Sequence, residues 1–364
     1  MGAHLFESIK LGGLTLPNRV IVAPMCQYQA TDGNASDWHS VHWGQYALAN
    51  AGLFIIEATG VTPEGRITPD CLGLYNDENE AAFARSLKVA RAVSNARIGI
   101  QLGHAGRKAS TLRPWDGNGH HSPDARGWEV VGPSAVAFAE NWPVPRALSE
   151  TDIEDTISAF VSAAQRAVRL GIDAIEIHAA HGYLLSSFLS PLANHREDHY
   201  GGSLENRMRL PLQVFKAVRA VCPAHMPVGV RFNGTDWLEG GFDGEQAVAF
   251  AAALHALGCD YVDISTGGNG FAKIPVGPAY QVPFATQIKQ QTGMATMAVG
   301  LIRAPEHAEA ILANGQADMI SIGRGFLNNP RWVWHAAETL GVELEVAPSY
   351  RFGATRHYRP TWGR

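Results

Sequence analysis

Short apolar runs alternate with helix-patterned stretches eight times between Arg19 and Leu340. The runs are 19–23, 53–58, 98–101, 174–178, 228–232, 261–265, 295–299 and 319–322. Helical spacing follows each of them, in 38–51, 78–95, 149–170, 204–221, 244–257, 280–291, 305–314 and 330–340. The punctuation agrees: Ser36, Ser149 and Ser203 stand as N-caps, Pro305 opens a helix, and Gly52, Gly171 and Gly258 close three others. Parallel strands need a crossover between them, so eight strand-helix units predict a closed (β/α)8 TIM barrel. At 364 residues the chain is long for one domain unless the fold is a barrel. An open doubly wound sheet is the alternative, but it would set a glycine fingerprint between an early strand and its helix. Gly117-Asn118-Gly119 and Gly268-Asn269-Gly270 lie instead in loops with no helix at the required spacing. The reading is one barrel domain over 1–364, with 102–149 as an embedded lid or subdomain after strand three and 341–364 as a tail.

Strand four leads into the densest polar group, Ile175-Glu176-Ile177-His178-Ala179-Ala180-His181-Gly182-Tyr183. Ile175 and Ile177 alternate with Glu176 and His178, so one row faces the helices and the other the barrel interior. The strand then breaks into a turn whose glycine permits a tight backbone, bringing two imidazoles and a phenol into a small volume. Such a group can bind an oxygen and deliver a proton. Any single His or Tyr is more often a satisfied core or surface residue, but polar groups packed together at a strand end need partners.

Chemistry in such a barrel sits at the C-terminal ends of the strands. Cys26 and Tyr28 follow strand one, Ala58 ends strand two, Gln101 ends strand three, and Arg231 lies near the end of strand five. Gly300 follows strand seven and Gly323-Arg324 strand eight, which suits backbone amides binding a phosphate. Arg231 at a barrel mouth is costly unless paired, so it either meets a buried acid such as Glu176 or holds an anionic ligand.

Composition narrows the class. A net charge of −5 without a basic run gives no electrostatic footprint for nucleic acid. No apolar run approaches the ~20 residues of a membrane span and no secretory signal is visible, so the protein is expected to be soluble and cytoplasmic. Cys26, Cys71, Cys222 and Cys259 are widely spaced, with neither a disulfide framework nor a zinc or iron–sulfur pattern.

The blocks Ala23-Pro24-Met25-Cys26-Gln27-Tyr28, Glu57-Ala58-Thr59, Gln101 to Lys108, Glu176 to Tyr183, Tyr200-Gly201-Gly202-Ser203-Leu204-Glu205-Asn206-Arg207 and Ser321-Ile322-Gly323-Arg324 carry a resemblance. Over nearly its whole length the chain resembles the Old Yellow Enzyme family of FMN-dependent ene-reductases, in particular its bacterial xenobiotic-reductase, thermophilic-like branch. The resemblance implies a noncovalent FMN reduced by NADPH or NADH, and ping-pong reduction of activated C=C bonds in α,β-unsaturated carbonyls and similar electron-poor alkenes. It implies that Pro24, Met25, Cys26, Ala58, Gln101 and Arg231 contact the flavin ring system, and that Gly300, Gly323 and Arg324 hold its phosphate. His178 and His181 would bind the substrate carbonyl, with Tyr183 as proton donor and Tyr28 as a second phenol over the substrate. Lys108 matches a position near the site, Asn206 and Arg207 close a loop onto the barrel, and a homodimer or larger homo-oligomer is implied.

The chain departs from that pattern at His195 and His199 and in the tail, where Arg359 and Trp362 are candidates to reach an active site. Two readings from other classes compete. A metal-dependent barrel hydrolase could use His104, His178 and His181, although no carboxylate stands with them at metal spacing. A non-catalytic flavin-binding protein would keep the colour and lack the turnover. A dienoyl-CoA reductase relative would need a Cys cluster and an extra cofactor domain, neither of which is visible in this chain.

Overall fold

A computed structural model describes residues 3–117, 119–121 and 125–353. The chain opens with an antiparallel hairpin, β1 (Ile9–Leu11) and β2 (Leu14–Leu16), which the apolar rhythm does not announce. Then come β3 (Val20–Val22), α1 (Asp37–Ala47), β4 (Leu53–Gly60), α2 (Asp77–Val93) and β5 (Ile98–Gly103). The insertion after β5 holds a short parallel pair, β6 (Val131–Gly132) and β7 (Arg146–Ala147). The alternation resumes with α3 (Glu150–Arg169), β8 (Ala174–Ala179), α4 (Leu184–Leu189), α5 (Leu204–Val221), β9 (Val228–Asn233), α6 (Gly244–Ala256) and β10 (Tyr261–Ser265). It ends with α7 (Val282–Thr292), β11 (Thr296–Ala298), α8 (Pro305–Ala313), β12 (Met319–Ile322), α9 (Arg324–Asn328) and α10 (Trp332–Thr339).

β3, β4, β5, β8, β9, β10, β11 and β12 form a closed, all-parallel barrel with the expected eight strands. Residues facing the helices, among them Val20, Phe54, Ile100, Ile175, Ile177, Val230, Ile264 and Ile320, join the helix faces in one large core. Burying each such side chain stabilises the fold by roughly 1.5–3 kcal/mol. Inside the barrel, Ile21, Leu53, Ile55, Ala174, Tyr261, Met297 and Met319 pack on Leu11 and Leu16 of the hairpin. The hairpin therefore closes the N-terminal end, and polar chemistry is left to the other rim.

Two strands run two residues past their expected ends. β4 continues to Gly60 through a register shift between Ile56 and Thr59, and β5 continues to Gly103. Ala58 thus sits in a β-bulge, and Gln101 faces inward below the rim instead of ending its strand. The short helices α4 and α9 were also unread, being too brief to show a helical period.

Candidate active site

The turn after β8 sets the geometry of the site. His181 has φ of 61° and Gly182 of 74°, both left-handed. A Cβ at Gly182 would lie 1.9 Å from the Gly268 carbonyl oxygen, so only glycine permits this approach. Three contacts hold the strained turn: Asn233 Oδ1 accepts from His181 N at 3.1 Å, and Lys108 Nζ donates to His181 O at 2.6 Å and Gly268 O at 3.0 Å.

His178 and His181 meet directly, Nε2 to Nδ1 at 3.3 Å. Ala180 N donates to His178 Nδ1 at 3.1 Å, which leaves the His178 proton on Nε2. His181 Nε2 lies 2.7 Å from Ser265 Oγ, whose hydroxyl donates to Gln281 Oε1 at 3.2 Å. In this chain of bonds His178 is a donor and His181 Nδ1 an acceptor. For both rings to donate to one oxygen, His181 must take its proton on Nδ1 while Ser265 turns to donate to Nε2. Burial, then the charges of Arg231 and nearby groups, holds both imidazoles well below their ordinary pKa, so both are neutral at pH 7. The Tyr183 ring stands edge-on to His178, with centroids 5.0 Å apart, and Lys108 Nζ lies 5.2 Å from its centroid. Burial raises the Tyr183 phenol above its usual pKa, so it keeps its proton.

A buried clamp fixes the loop after β3. Ser36 N donates to His39 Nδ1 at 2.9 Å, and His39 Nε2 lies 3.0 Å from Glu57 Oε1. The other Glu57 oxygen accepts from Gln27 N, tying the Cys26–Tyr28 segment to the β4 bulge. The neighbouring Cys71, then burial, raises the pKa of the Cys26 thiol well above its ordinary value. Cys71 also accepts from Thr68 N at 3.3 Å. Tyr28, itself left-handed at φ 55°, packs edge-on against Trp115 of the insertion at 5.6 Å between centroids.

On the other side of the mouth a cavity of about 270 Å³ is lined by Pro24, Met25, Arg231, Gly300, Gly323 and Arg324, six of the residues anticipated for one ligand. Gly300 has φ of 121°, which a side chain would not tolerate. Arg231 answers the open alternative differently from the acid named in advance: its Nε lies 3.5 Å from Asp263 Oδ2, while Glu176 accepts from Gln101 Nε2 at 2.8 Å. Ala58, His104, His178 and Tyr183 share a second, smaller recess.

Asp263, Asn233, Ser265, Glu57, His39 and Arg303, which also lines the cavity, were not picked out from the sequence as site residues. The alternation Tyr261-Val262-Asp263-Ile264-Ser265 was a usable signal for two of them, since it sets an acid and a hydroxyl on the inward row. Arg207 bonds Leu189 O, Gly202 O and Gln246 Oε1, and Asn206 Nδ2 bonds Gly201 O, which closes their loop on the barrel. Arg359 and Trp362 lie outside the described residues. No helix among the described residues is long and apolar enough to cross a membrane.

The chain belongs to the NADH:flavin oxidoreductase / NADH oxidase family, which matches residues 4–343. It is 41% identical over 355 residues to an NADPH dehydrogenase of Geobacillus thermodenitrificans, covering 97% of this chain and 99% of the relative. It is 43% identical over 350 residues to an NADPH dehydrogenase of Listeria innocua, covering 96% and 98%. Among solved structures it is similar to morphinone reductase, with a TM-score of 0.77 and 32% identity over 96% of this chain and 93% of that one. It is also similar to the Old Yellow Enzyme homologue from Zymomonas mobilis, with a TM-score of 0.78 and 27% identity over 98% and 99%. The protein is thus an Old Yellow Enzyme-like NAD(P)H dehydrogenase, with FMN as cofactor and small molecules as substrates.

Proposed function

We propose that the enzyme reduces the activated C=C bond of α,β-unsaturated carbonyls and similar electron-poor alkenes, in a ping-pong cycle with proton donation from Tyr183. The observation that carries this reading is the neutral His178–His181 pair beside the Tyr183 phenol, at the edge of the cavity containing Arg231.

That cavity fits FMN: Arg231 Nε has no hydrogen-bond partner, and Gly300 has the backbone of a close approach. Gly300, Gly323 and Arg324 would hold the phosphate. Pro24, Met25, Cys26, Ala58, Gln101 and Arg231 would surround the ring system, with Arg231 supplying positive charge where the reduced ring becomes anionic. FMN, when bound, would supply two-electron hydride chemistry between NAD(P)H and the alkene.

The chain's own groups do the rest. His178 Nε2–H and, in its other tautomer, His181 Nδ1–H take the substrate carbonyl oxygen and draw charge from the conjugated alkene as an oxyanion hole does. Tyr183 holds a proton for the α-carbon as general acid. Tyr28, backed by Trp115, covers the substrate from the β3 side. The insertion over 102–149 would act as a lid, and the protein would assemble as a homodimer or larger homo-oligomer.

Steady-state kinetics with NADPH and 2-cyclohexenone test the reading. Parallel double-reciprocal plots and a saturated ketone product are expected. Retained colour with no oxidation of NADPH by any enone would mean a flavin-binding protein instead, and intersecting plots would remove the ping-pong cycle.

A further inference from the structure

Below the rim lie two acids that no step above uses. Glu176 on β8 and Asp263 on β10 are both 0% exposed. They flank β9, with Glu176 in register with Gly229 and Asp263 in register with Arg231, so both point inward one row apart. Gly229 puts no side chain between them, and the Tyr261 ring fills that space, within 2.5 Å of where a Cβ would stand. Glu176 Oε1 accepts from Gln101, but Oε2 has no hydrogen-bond partner. Asp263 Oδ2 lies 3.4 Å from Ser321 Oγ and 3.5 Å from Arg231 Nε, but Oδ1 has none.

The groups facing the pair are few. β9 presents Arg231, β10 presents Tyr261, β8 presents His178, β5 presents Gln101 and β12 presents Ser321. His178 is neutral, and Tyr261 is held protonated by burial and by the two acids. Among the described residues, one guanidinium therefore faces two carboxyls. Ionising both would leave an uncompensated charge in the interior, which costs several kcal/mol, so at neutral pH one proton stays with the pair.

We propose that Glu176 and Asp263 form a proton-binding site behind Arg231, beneath the FMN cavity, and that once ionised it takes up a proton from solvent when the cofactor is reduced. This rests on the reading of that cavity as the flavin site. Arg231 lines the cavity and also faces Asp263, so it is the one positive charge shared by cofactor and acids. Two electrons arriving with one proton leave the cofactor more negative by one charge. That charge competes for Arg231 and repels the acids, and their proton affinity rises. Above about pH 8, where Glu176 has lost its proton in the oxidised enzyme, reduction then consumes two electrons and two protons: the hydride from NAD(P)H brings both electrons and one proton, and water supplies the second proton to the acids. Burial first, then the charge of Asp263, already raises Glu176 to about 8.

The test is the pH dependence of the cofactor's midpoint potential in the holoenzyme, measured by dye equilibration from pH 6 to 10. One proton per two electrons changes the equilibrium tenfold per pH unit, or about 30 mV, and two protons a hundredfold, or about 59 mV. Wild type should steepen from about 30 to about 59 mV per pH unit above about pH 8. Glu176→Gln keeps an acceptor for Gln101 and should stay near the shallower slope throughout. A wild-type slope that does not steepen overturns the proposal, as does a variant that steepens equally. If Glu176→Gln does not fold, the infrared difference spectrum of wild type, reduced minus oxidised at pH 9, decides: a new protonated-carboxyl band is expected, and its absence overturns the proposal. A protein that binds no FMN would instead overturn the flavin reading. Infrared pH titration of the apoprotein would still report the proton held by the acids.

Discussion

Lys108 donates its ammonium to the carbonyl oxygen of His181 at 2.6 Å, and so holds the turn after β8 from the start of the insertion that follows β5. The same ammonium bonds Gly268 O and lies 4.5 Å from the Phe138 ring centroid, so it ties three segments together around the left-handed turn. Burial first, then the charge of Arg107, lowers its pKa to about 8.

A pH dependence follows. Above about pH 8 the ammonium becomes a neutral amine and its bonds to the two carbonyls weaken. The Kd of a non-titrating ketone inhibitor, read from the absorbance of the bound cofactor, should therefore rise through pH 8 in wild type. Lys108→Met should bind roughly tenfold or more weakly, as expected for loss of a charged hydrogen bond, and without that pH step. The stability term has the opposite sense. The unfolded chain holds this proton up to about pH 10.4, so between about 8 and 10.4 the residue makes the fold more stable as pH rises. A pH step that persists in Lys108→Met would assign the titration to another group.

His178 should dominate carbonyl binding, because Ala180 N–H fixes its donor tautomer, whereas His181 must change tautomer to help. His178→Ala is expected to weaken the charge-transfer complex with a phenol roughly 10- to 100-fold, and His181→Asn by less. Asn tolerates the left-handed backbone at 181, so that variant reports the ring and not the turn. FMN should stay bound in both. Loss of flavin would make the pair structural.

Tyr183→Phe should separate the two half-reactions. Reduction of the flavin by NADPH needs no proton from the phenol and should be nearly unchanged. Oxidation by an enone should slow by roughly 10²- to 10⁴-fold, the usual range for a lost general acid. Stopped-flow measurement of each half decides, and equal slowing would move the donor elsewhere.

Much of this was legible in the sequence because period and position carry it. Ile175 and Ile177 against Glu176 and His178 is a period of two, and a barrel fold puts its inward polar residues at one rim. What stayed hidden depends on pairing across strands. Nothing local says that Arg231 faces Asp263 and not Glu176, because register in a closed sheet is set by the whole barrel. The β4 bulge, which carries Glu57 to His39, and the hairpin that packs Leu11 and Leu16 under the barrel are likewise tertiary facts. Their residues look like ordinary loop and surface positions until the fold closes.

Cys26, which the resemblance sets against the flavin, should tune the potential of the bound cofactor. A free cysteine is more often a small buried hydrophobe, and Cys222 and Cys259 fit that description. Cys26 differs in lying beside Cys71, whose sulfur accepts from Thr68, and in having its pKa raised well above the ordinary value, first by Cys71 and then by burial. A thiol so placed is a poorer donor to a ring carbonyl than a free hydroxyl. Cys26→Ser should therefore raise the potential of the bound flavin, and Cys71→Ala, by freeing the Cys26 thiol, should move it in the same direction by less. Each shift should stay within about 30 mV, because a neutral hydrogen bond contributes about 0.5–1.5 kcal/mol and 1.4 kcal/mol corresponds to about 30 mV for two electrons. Cys26→Ala removes the donor and should lower the potential. Dye equilibration of the three variants at one pH checks the order, and three potentials equal to wild type within error would leave both cysteines as packing alone.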